Sequence, residues 1–209
     1  MRALPWAAAV TLGVIAWAWV LLMMPLRRAP VAPTGLLTRL QAGDTSVDFR
    51  LLRLSATTNV VPTPPAARIR AWRHNTLTAL ERGETATARR ELQAWLSEDY
   101  LNPFAHLGAR ELAVREGRQA DADFHARVLE GLYDSICRVG EGLSPERPCA
   151  VRTSDEIQYY LARHRFEIGD MREAMCGKSP CLAFEVRAPD GPMLVDLYFD
   201  IARLQGPVP

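Results

Sequence analysis

The stretch NPFAHLGARELAVREG, residues 102–117, carries the signals that decide the fold. It begins as helices commonly do, because the side chain of Asn102 can cap the free amides of the first turn and Pro103 needs no amide there. Leucine and alanine then recur at helical spacing, and Gly117 ends the pattern. The stretch therefore predicts a helix that stops at a tight turn.

Helical patterns also fill the sequence on both sides of this stretch. They are ARIRAWRHNTLTALERG (67–83), ETATARRELQAWLSEDYL (84–101) and RQADADFHARVLEGLYDSIC (118–137). Each is rich in strong helix formers and poor in glycine. In the first, either Thr76 or Leu77 belongs to the apolar stripe. Together with residues 102–117, they predict four helices.

A period of 34 residues relates these helices. Gly83 and Gly117 are 34 residues apart, and the same shift relates Ala71 to Ala105, Ala79 to Ala113, Ala86 to Ala120 and Ala88 to Ala122. Helix–turn–helix units with this period are typical of tetratricopeptide repeats. We therefore expect tetratricopeptide-like helical hairpins over residues 64–138. The alternative is an ordinary pair of helical hairpins in which the period arose by chance.

The last third of the chain changes from helical to alternating patterns. CLAFEVRA (181–188) and MLVDLYFDI (193–201) predict two strands joined by a turn that contains proline and glycine. CAVRT (149–153) predicts a short further strand. With the helix described next, these patterns predict a small antiparallel sheet with one helix over residues 139–209. The soluble part of the chain is therefore expected to be α+β.

The helix of this region is predicted by TSDE, residues 153–156. The motif is a capping box, in which the side chain of Thr153 caps the helix and Glu156 bonds back to the amide of Thr153. The preceding stretch GEGLSPERPCAV (140–151) is interpreted as the joint between the helices and the sheet, and not as an active-site loop, because its glycines and prolines are typical of turns.

The N-terminus carries the clearest targeting signal. Residues 4–26 contain no charged side chain, and about 20 helical residues are needed to cross a hydrocarbon core about 30 Å thick. The arginines and prolines that follow do not suit a cleavage site, so an uncleaved anchor is favoured over a cleaved signal. We expect a transmembrane anchor over residues 1–29, and a linker with an N-terminal extension over residues 30–63.

All four cysteines lie in the last third of the chain: Cys137, Cys149, Cys176 and Cys181. An even number in a short region is typical of a disulfide-stabilised domain in an oxidising compartment. Three pairings are possible, and local spacing favours Cys137–Cys149 with Cys176–Cys181. A zinc site is the alternative, but the sequence contains no C-x-x-C pair.

The cysteines also decide the expected orientation of the anchor. Arg27, Arg28 and Arg39 follow the apolar segment, and the positive-inside rule would keep that side in the cytoplasm. Two structural disulfides outweigh a rule that rests here on so few charges. We therefore expect a single-pass protein of a bacterial inner membrane whose soluble part faces the periplasm.

Composition excludes some classes of function. A net charge of +1 over 209 residues provides no field that would attract nucleic acid. The local group Arg68, Arg70 and Arg73 is accordingly interpreted as a solvated helix face. Gly140 and Gly142 form a lone G-x-G that is followed by proline, which is not a phosphate-binding loop. No cofactor, no metal and no nucleic acid is expected, and catalytic residues stay unknown.

Few side chains are available for an enzyme of undefined type. His106 and His125 lie on successive helices of one predicted hairpin, where they either approach each other or bond separately to carboxylates. Asp196 and Asp200 share a strand face and either hold a cation or pair with Arg187 across the predicted hairpin. Glu141, in the joint, is the remaining candidate.

Several segments of the chain resemble those of one bacterial family. They are NPFAHLGA, FHARVLEGLYDSI, GEGLSPERPCAV, DEIQYY and LYFDI, with DFRLLRL (48–54) upstream. With these segments the chain resembles domain-of-unknown-function family 4919, although Glu141 stands where the family has an aspartate. The resemblance implies an exported or envelope-associated protein and supplies no activity.

The function expected from these observations is that of a membrane-anchored envelope protein acting as a protein-binding or assembly module. Its partners would be the membrane, through residues 4–26, and another envelope protein or peptide. Paired helices of this kind present grooves and rarely carry chemistry. An envelope enzyme that uses the histidines or the acidic residues named above is the alternative.

Overall fold

The computed structural model of the protein describes residues 33–55, 66–138, 141–189, 191 and 193–202. Seven helices and four strands lie in these residues: α1 Pro33–Gln41, α2 Phe49–Ser55, α3 Ala66–Glu81, α4 Thr85–Glu98, α5 Pro103–Arg115, α6 Gln119–Ile136, β1 Cys149–Ala150, α7 Ser154–His164, β2 Glu167–Cys176, β3 Ser179–Arg187 and β4 Leu194–Asp200. The described part of the chain is therefore α+β, as the sequence predicts.

Helices α3 to α6 form two hairpins with the same turn. Gly83 and Gly117 both have positive φ, of 71° and 68°, a conformation that glycine adopts without a steric penalty. In each turn the glycine amide donates to the carbonyl three residues earlier, Leu80 in one and Val114 in the other, at 3.0 and 3.1 Å. The 34-residue period of the sequence is thus also a period in backbone geometry.

Helices α1 and α2 pack against α6. The segment VDFRLLRL, which contains α2, shows no clear period in the sequence, and the structure makes it helical from Phe49. Leu40 of α1, Leu52 of α2 and Leu132 of α6 are buried in one apolar cluster. This packing brings the start of the described chain beside a helix that lies more than 80 residues further on.

The four strands form one mixed sheet in the order β1-β4-β3-β2. The hairpin of β3 and β4 is antiparallel, as predicted. The expectation of a purely antiparallel sheet is wrong at one edge, where β1 pairs parallel with β4 and Cys149 lies opposite Phe199. No short turn joins β1 to β4, so no hairpin constrains the two strands to be antiparallel.

The edge strand β2 has no counterpart among the predicted strands. Its sequence, EIGDMREAMC, shows no period-two alternation because nearly all of its residues are exposed. The strand forms because a tight turn with Gly177 at a φ of 65° folds it against β3, where Ala174 lies opposite Cys181. A turn, and not a hydrophobic pattern, specifies this strand.

Two disulfides join the pairs of cysteines that local spacing favours. Cys137–Cys149 ties the end of α6 to β1, with a Cα separation of 4.7 Å. Cys176–Cys181 closes the β2–β3 hairpin, with a Cα separation of 5.8 Å. Both separations are normal for disulfides. Because such bonds persist in oxidising compartments, they indicate an extracytoplasmic location.

Helix α7 covers one face of the sheet. Its residues Ile157 and Leu161 share a buried apolar cluster with Leu182 of β3 and Phe199 of β4. Among the described residues, no helix has the length and apolar character needed to cross a membrane. The predicted span at residues 4–26 lies outside the described part of the chain.

The start of α7 is where the sequence predicts, but its capping differs. Thr153 is the N-cap residue, yet its side chain makes no capping bond. Glu156 accepts from the amide of Arg152 at 2.7 Å and not from that of Thr153, so the predicted capping box is wrong. The cause is Arg53 of α2, whose guanidinium binds the Glu156 carboxylate in the interior.

Candidate functional site

A groove runs along both sides of α5. One cavity of about 430 Å³ lies between α3 and α5, and a second of about 450 Å³ lies between α5, α6 and α7. Phe104, Leu107 and Arg110 line both cavities. The two cavities therefore adjoin along α5, and we call them together the α5 groove.

A glycine on α5 sets the depth of the groove. A Cβ atom on Gly108 would lie 3.0 Å from Leu92 Cδ2 and 3.2 Å from Thr76 Cγ2. Both contacts are tighter than ordinary van der Waals packing, so the missing side chain lets α5 lie close to α3 and α4. This close approach brings Thr76 and Trp95 into the lining of the groove.

The two walls of the first cavity are related by the 34-residue period. Positions on α3 correspond to positions on α5 as follows: Arg73 to Leu107, Thr76 to Arg110 and Leu77 to Glu111. The same face of the first helix in each hairpin thus contributes to the cavity. Each pair combines two different side chains, so the two walls present different chemical groups at equivalent positions.

Two leucines of the groove are exposed. Leu77 of α3 is 51% exposed and Leu107 of α5 is 42% exposed. The sequence left open whether Thr76 or Leu77 belongs to the apolar stripe of α3. In the structure, Thr76 is the buried one of the two. Single exposed leucines are common on protein surfaces, but apolar side chains that line a groove together are typical of an interaction site.

Three residues that line the first cavity each have one buried polar atom without a hydrogen-bond partner among the described residues. The atoms are Arg73 Nε, Thr76 Oγ1 and Trp95 Nε1. Thr76 is only 2% exposed and Trp95 only 1%. Most buried polar groups in folded proteins are hydrogen-bonded, and each that is not costs about 1–3 kcal/mol. These atoms lie beneath the wall of the cavity and not on its surface.

The charges around the groove are almost all paired. Arg73 donates to Asp155 of α7 and to Gln158, and its guanidinium lies 4.0 Å from the ring centre of Phe104. The interpretation of Arg73 as part of a solvated helix face is thus wrong, because it is partly buried between α5 and α7. Within the described part of the chain, Arg110 has no carboxylate within ion-pair distance.

Asn102 fixes α5 relative to the neighbouring helices. Its Oδ1 accepts from two amides of the first turn of α5, as the sequence predicts for an N-cap. Its Nδ2 donates to Asp155 at 2.8 Å and to Asp99 at 3.2 Å. Because Asp155 also binds Arg73, one buried cluster joins α3, α5 and α7. The walls of the groove are therefore held by hydrogen bonds beneath it.

The two candidate histidines meet on the α5–α6 hairpin. His106 Nδ1 lies 2.9 Å from His125 Nδ1, and His106 Nε2 lies 2.7 Å from the carbonyl of Tyr100. A carbonyl only accepts, so Nε2 of His106 carries the hydrogen and His125 donates to His106. Burial and the neighbouring His125 lower the pKa of His106 to about 3. The pair is a neutral, partly buried hydrogen bond.

The acidic candidates lie apart from the histidines. Glu141 bonds to Arg50 at 3.0 Å and to the amide of Arg138. Asp196 of β4 accepts from Arg172 of β2 at 2.5 Å. The predicted pairing with Arg187 of the neighbouring strand β3 is therefore wrong, and Arg187 lies near Glu167 of β2 instead. Asp200 accepts from the amide of Ala202. In the part of the chain that the structure describes, no set of three histidine, cysteine or acidic side chains is arranged to hold a metal ion.

Sequence reasoning did not identify the residues that form the α5 groove. Arg110 lies within a regular helical pattern, and nothing in its local sequence separates a groove residue from a solvated one. The available signal was the period itself, because positions equivalent by the 34-residue shift lie on corresponding helix faces. The search of known proteins found no matching family model, curated protein or solved structure. The resemblance to family 4919 therefore stays a prediction.

Proposed function

We propose that the chain is a membrane-anchored envelope protein that acts as a binding or assembly module and holds a segment of another protein in the α5 groove. One observation carries this proposal: exposed leucines on two facing helices line the same cavity. Their exposure costs free energy in the unbound protein, and a ligand that covers the groove would offset that cost.

The arrangement of the helices supports the same function. Helices α3 and α5 are the first helices of two hairpins with a tetratricopeptide-like period, and α7 packs beside α5 as the first helix of a third unit would. Stacked helical hairpins form extended binding surfaces, because each pair of helices adds one strip to a common face. The α5 groove is such a face.

The expected location supports a partner in the cell envelope. The two disulfides indicate an oxidising compartment, and residues 4–26 have the length and composition of a membrane anchor. A soluble part tethered at the periplasmic face of an inner membrane meets other envelope proteins at high effective concentration. The partner is accordingly proposed to be an envelope protein or peptide.

Site-specific photo-crosslinking in intact cells tests this proposal. A photoreactive residue at Leu77 or Leu107 should give adducts of one partner, whereas the same residue at the exposed Leu143, which does not line the groove, should not. The crosslinked partner segment is then made as a peptide and bound to the purified full chain. Binding should be lost in Leu107→Glu.

The matched control for that variant is Val114→Glu. Val114 lies on the same helix and is 50% exposed, but it does not line the groove. Both substitutions add one negative charge to an exposed position of α5, so a difference between them reports on the groove. Equal binding by the two variants, or adducts that form equally at all three crosslinking positions, would contradict the proposal.

A further inference from the structure

We infer that the segment held in the α5 groove carries an acidic side chain flanked by apolar ones, and that Arg110 binds its carboxylate. The inference rests on the proposed function and deepens it, since it states the chemistry of the partner segment.

Among the described residues, no negatively charged side chain forms an ion pair with Arg110 in the groove. Each acidic side chain in the lining is already engaged by another arginine: Glu111 by Arg115 at 2.8 Å and Glu130 by Arg163 at 2.9 Å. Asp155, below the groove, is engaged by Arg73. Arg110 is exposed and lines both cavities. A ligand with a negative charge complements this site, and a positively charged ligand would be repelled.

The apolar part of the segment is expected beside Leu77 and Leu107. The first cavity has about 430 Å³, and its walls combine these two leucines with the ring of Phe104. Leucine or aromatic side chains of a partner would bury apolar surface there, at about 25 cal/mol per Å². Apolar contacts thus provide affinity, and Arg110 makes the groove specific for a segment that carries a negative charge.

The position of Arg110 distinguishes an acidic side chain from a chain terminus. Arg110 lies where the two cavities adjoin, so the groove continues on both sides of it. A bound chain that fills both cavities passes Arg110 in its middle and offers it a side chain. A terminal carboxylate at Arg110 would leave one of the two cavities empty.

Selection from a library of random short peptides tests the inference on the full chain. The wild-type protein should enrich peptides in which aspartate or glutamate is flanked by leucine or aromatic residues. Arg110→Gln should weaken binding of a selected peptide by about tenfold, the effect of one charge-assisted hydrogen bond. Arg127→Gln, at an exposed arginine of α6 outside the groove lining, should leave binding unchanged.

A double-substitution experiment tests whether Arg110 binds the acidic side chain of the peptide directly. Replacing the acid of the peptide by its amide should cost the same factor as Arg110→Gln, and the two changes together should cost no more than either alone. Selected peptides without an acid, or peptides that bind Arg110→Gln as well as wild type, overturn the inference.

Failure of the inference and failure of the proposed function give different results. If neutral or basic peptides are selected and Leu107→Glu abolishes their binding while Val114→Glu does not, the groove binds protein segments and only the inference is wrong. If no selected peptide distinguishes Leu107→Glu from Val114→Glu, both are wrong. Displacement of selected peptides by a fatty acid that itself needs Arg110 assigns the groove to a lipid and overturns the inference.

Discussion

Arg53 and Glu156, 103 positions apart in the chain, form a fully buried ion pair between α2 and α7. The guanidinium donates to both carboxylate oxygens, at 2.9 and 2.5 Å, and also to the carbonyls of Ser135 and Ala150. Burial favours the neutral acid, but the guanidinium of Arg53 outweighs it and holds the pKa of Glu156 below its ordinary value. One pair thus joins α2, α6, β1 and α7.

Removing one partner of this pair should be strongly destabilising. Glu156→Gln leaves the Arg53 charge buried without a counter-charge, and such changes cost about 3–5 kcal/mol. The free energy of unfolding, measured by urea denaturation, should fall by that amount. Arg163→Gln at the exposed pair with Glu130 is the control and should change it by less than about 1 kcal/mol. A loss at Glu156 no larger than at Arg163 contradicts the role of the buried pair.

The histidine pair should make stability depend on pH. The folded protein keeps His106 neutral, because its pKa is lowered to about 3, whereas the unfolded chain protonates it near pH 6.5. The unfolded state therefore binds more protons below pH 6.5, and stability falls as pH falls. From pH 7 to pH 5 the loss from His106 should be about 2 kcal/mol. His125, whose pKa is also lowered by burial and by Arg118 against the opposing effect of Asp121, adds to it with the same sign.

Urea denaturation at several pH values between 5 and 7 checks this prediction. The window lies above the ordinary titration of carboxylates, so their contribution is small. His106→Asn should remove the part of the slope that comes from His106, whatever its absolute stability, while the lowered pKa values of His125 and His164 leave the rest. In His125→Asn the new amide still donates to His106, so this variant should keep the part of the slope that comes from His106. A wild-type stability that is constant over the window contradicts the prediction.

Thiol trapping in native membranes should locate the soluble part of the chain. If the two disulfides form in the cell, all four cysteines resist alkylation until the protein is reduced, and the mass then increases by four adducts. Free reaction before reduction would mean that this part of the chain faces a reducing space. The proposed periplasmic location would then be wrong.

The helices could be predicted from the sequence because their signals are local. Asn102 caps α5 and Gly83 ends the first hairpin helix in the same way wherever the rest of the chain lies. The sheet was predicted only in part, because one of its strands has no local signal in the sequence. β2 depends on its turn and on pairing with β3, and its exposed residues leave no alternation to recognise.

The groove could not be predicted, because it depends on which helix faces meet. Arg110 and Arg127 are both exposed arginines within helical patterns, and only tertiary packing places the first in the groove and the second outside it. The capping box was predicted wrongly for a similar reason. Glu156 has the right spacing to bond back to Thr153, but Arg53, a residue of a different helix, competes for the carboxylate and binds it.

Thr76→Val should stabilise the protein and leave ligand binding unchanged. Among the described residues the buried Thr76 hydroxyl has no hydrogen-bond partner, so replacing it by a methyl group of similar size removes a desolvation cost of about 1–3 kcal/mol. Thr153→Val is the matched comparison, since the Thr153 hydroxyl is buried in the same way but belongs to a residue outside the groove lining. Both variants should raise the free energy of unfolding in urea. Because the Thr76 hydroxyl lies beneath the wall of the groove and not on its surface, affinity for a peptide selected on the wild type should stay the same. A Thr76→Val protein that is no more stable than the wild type contradicts the prediction.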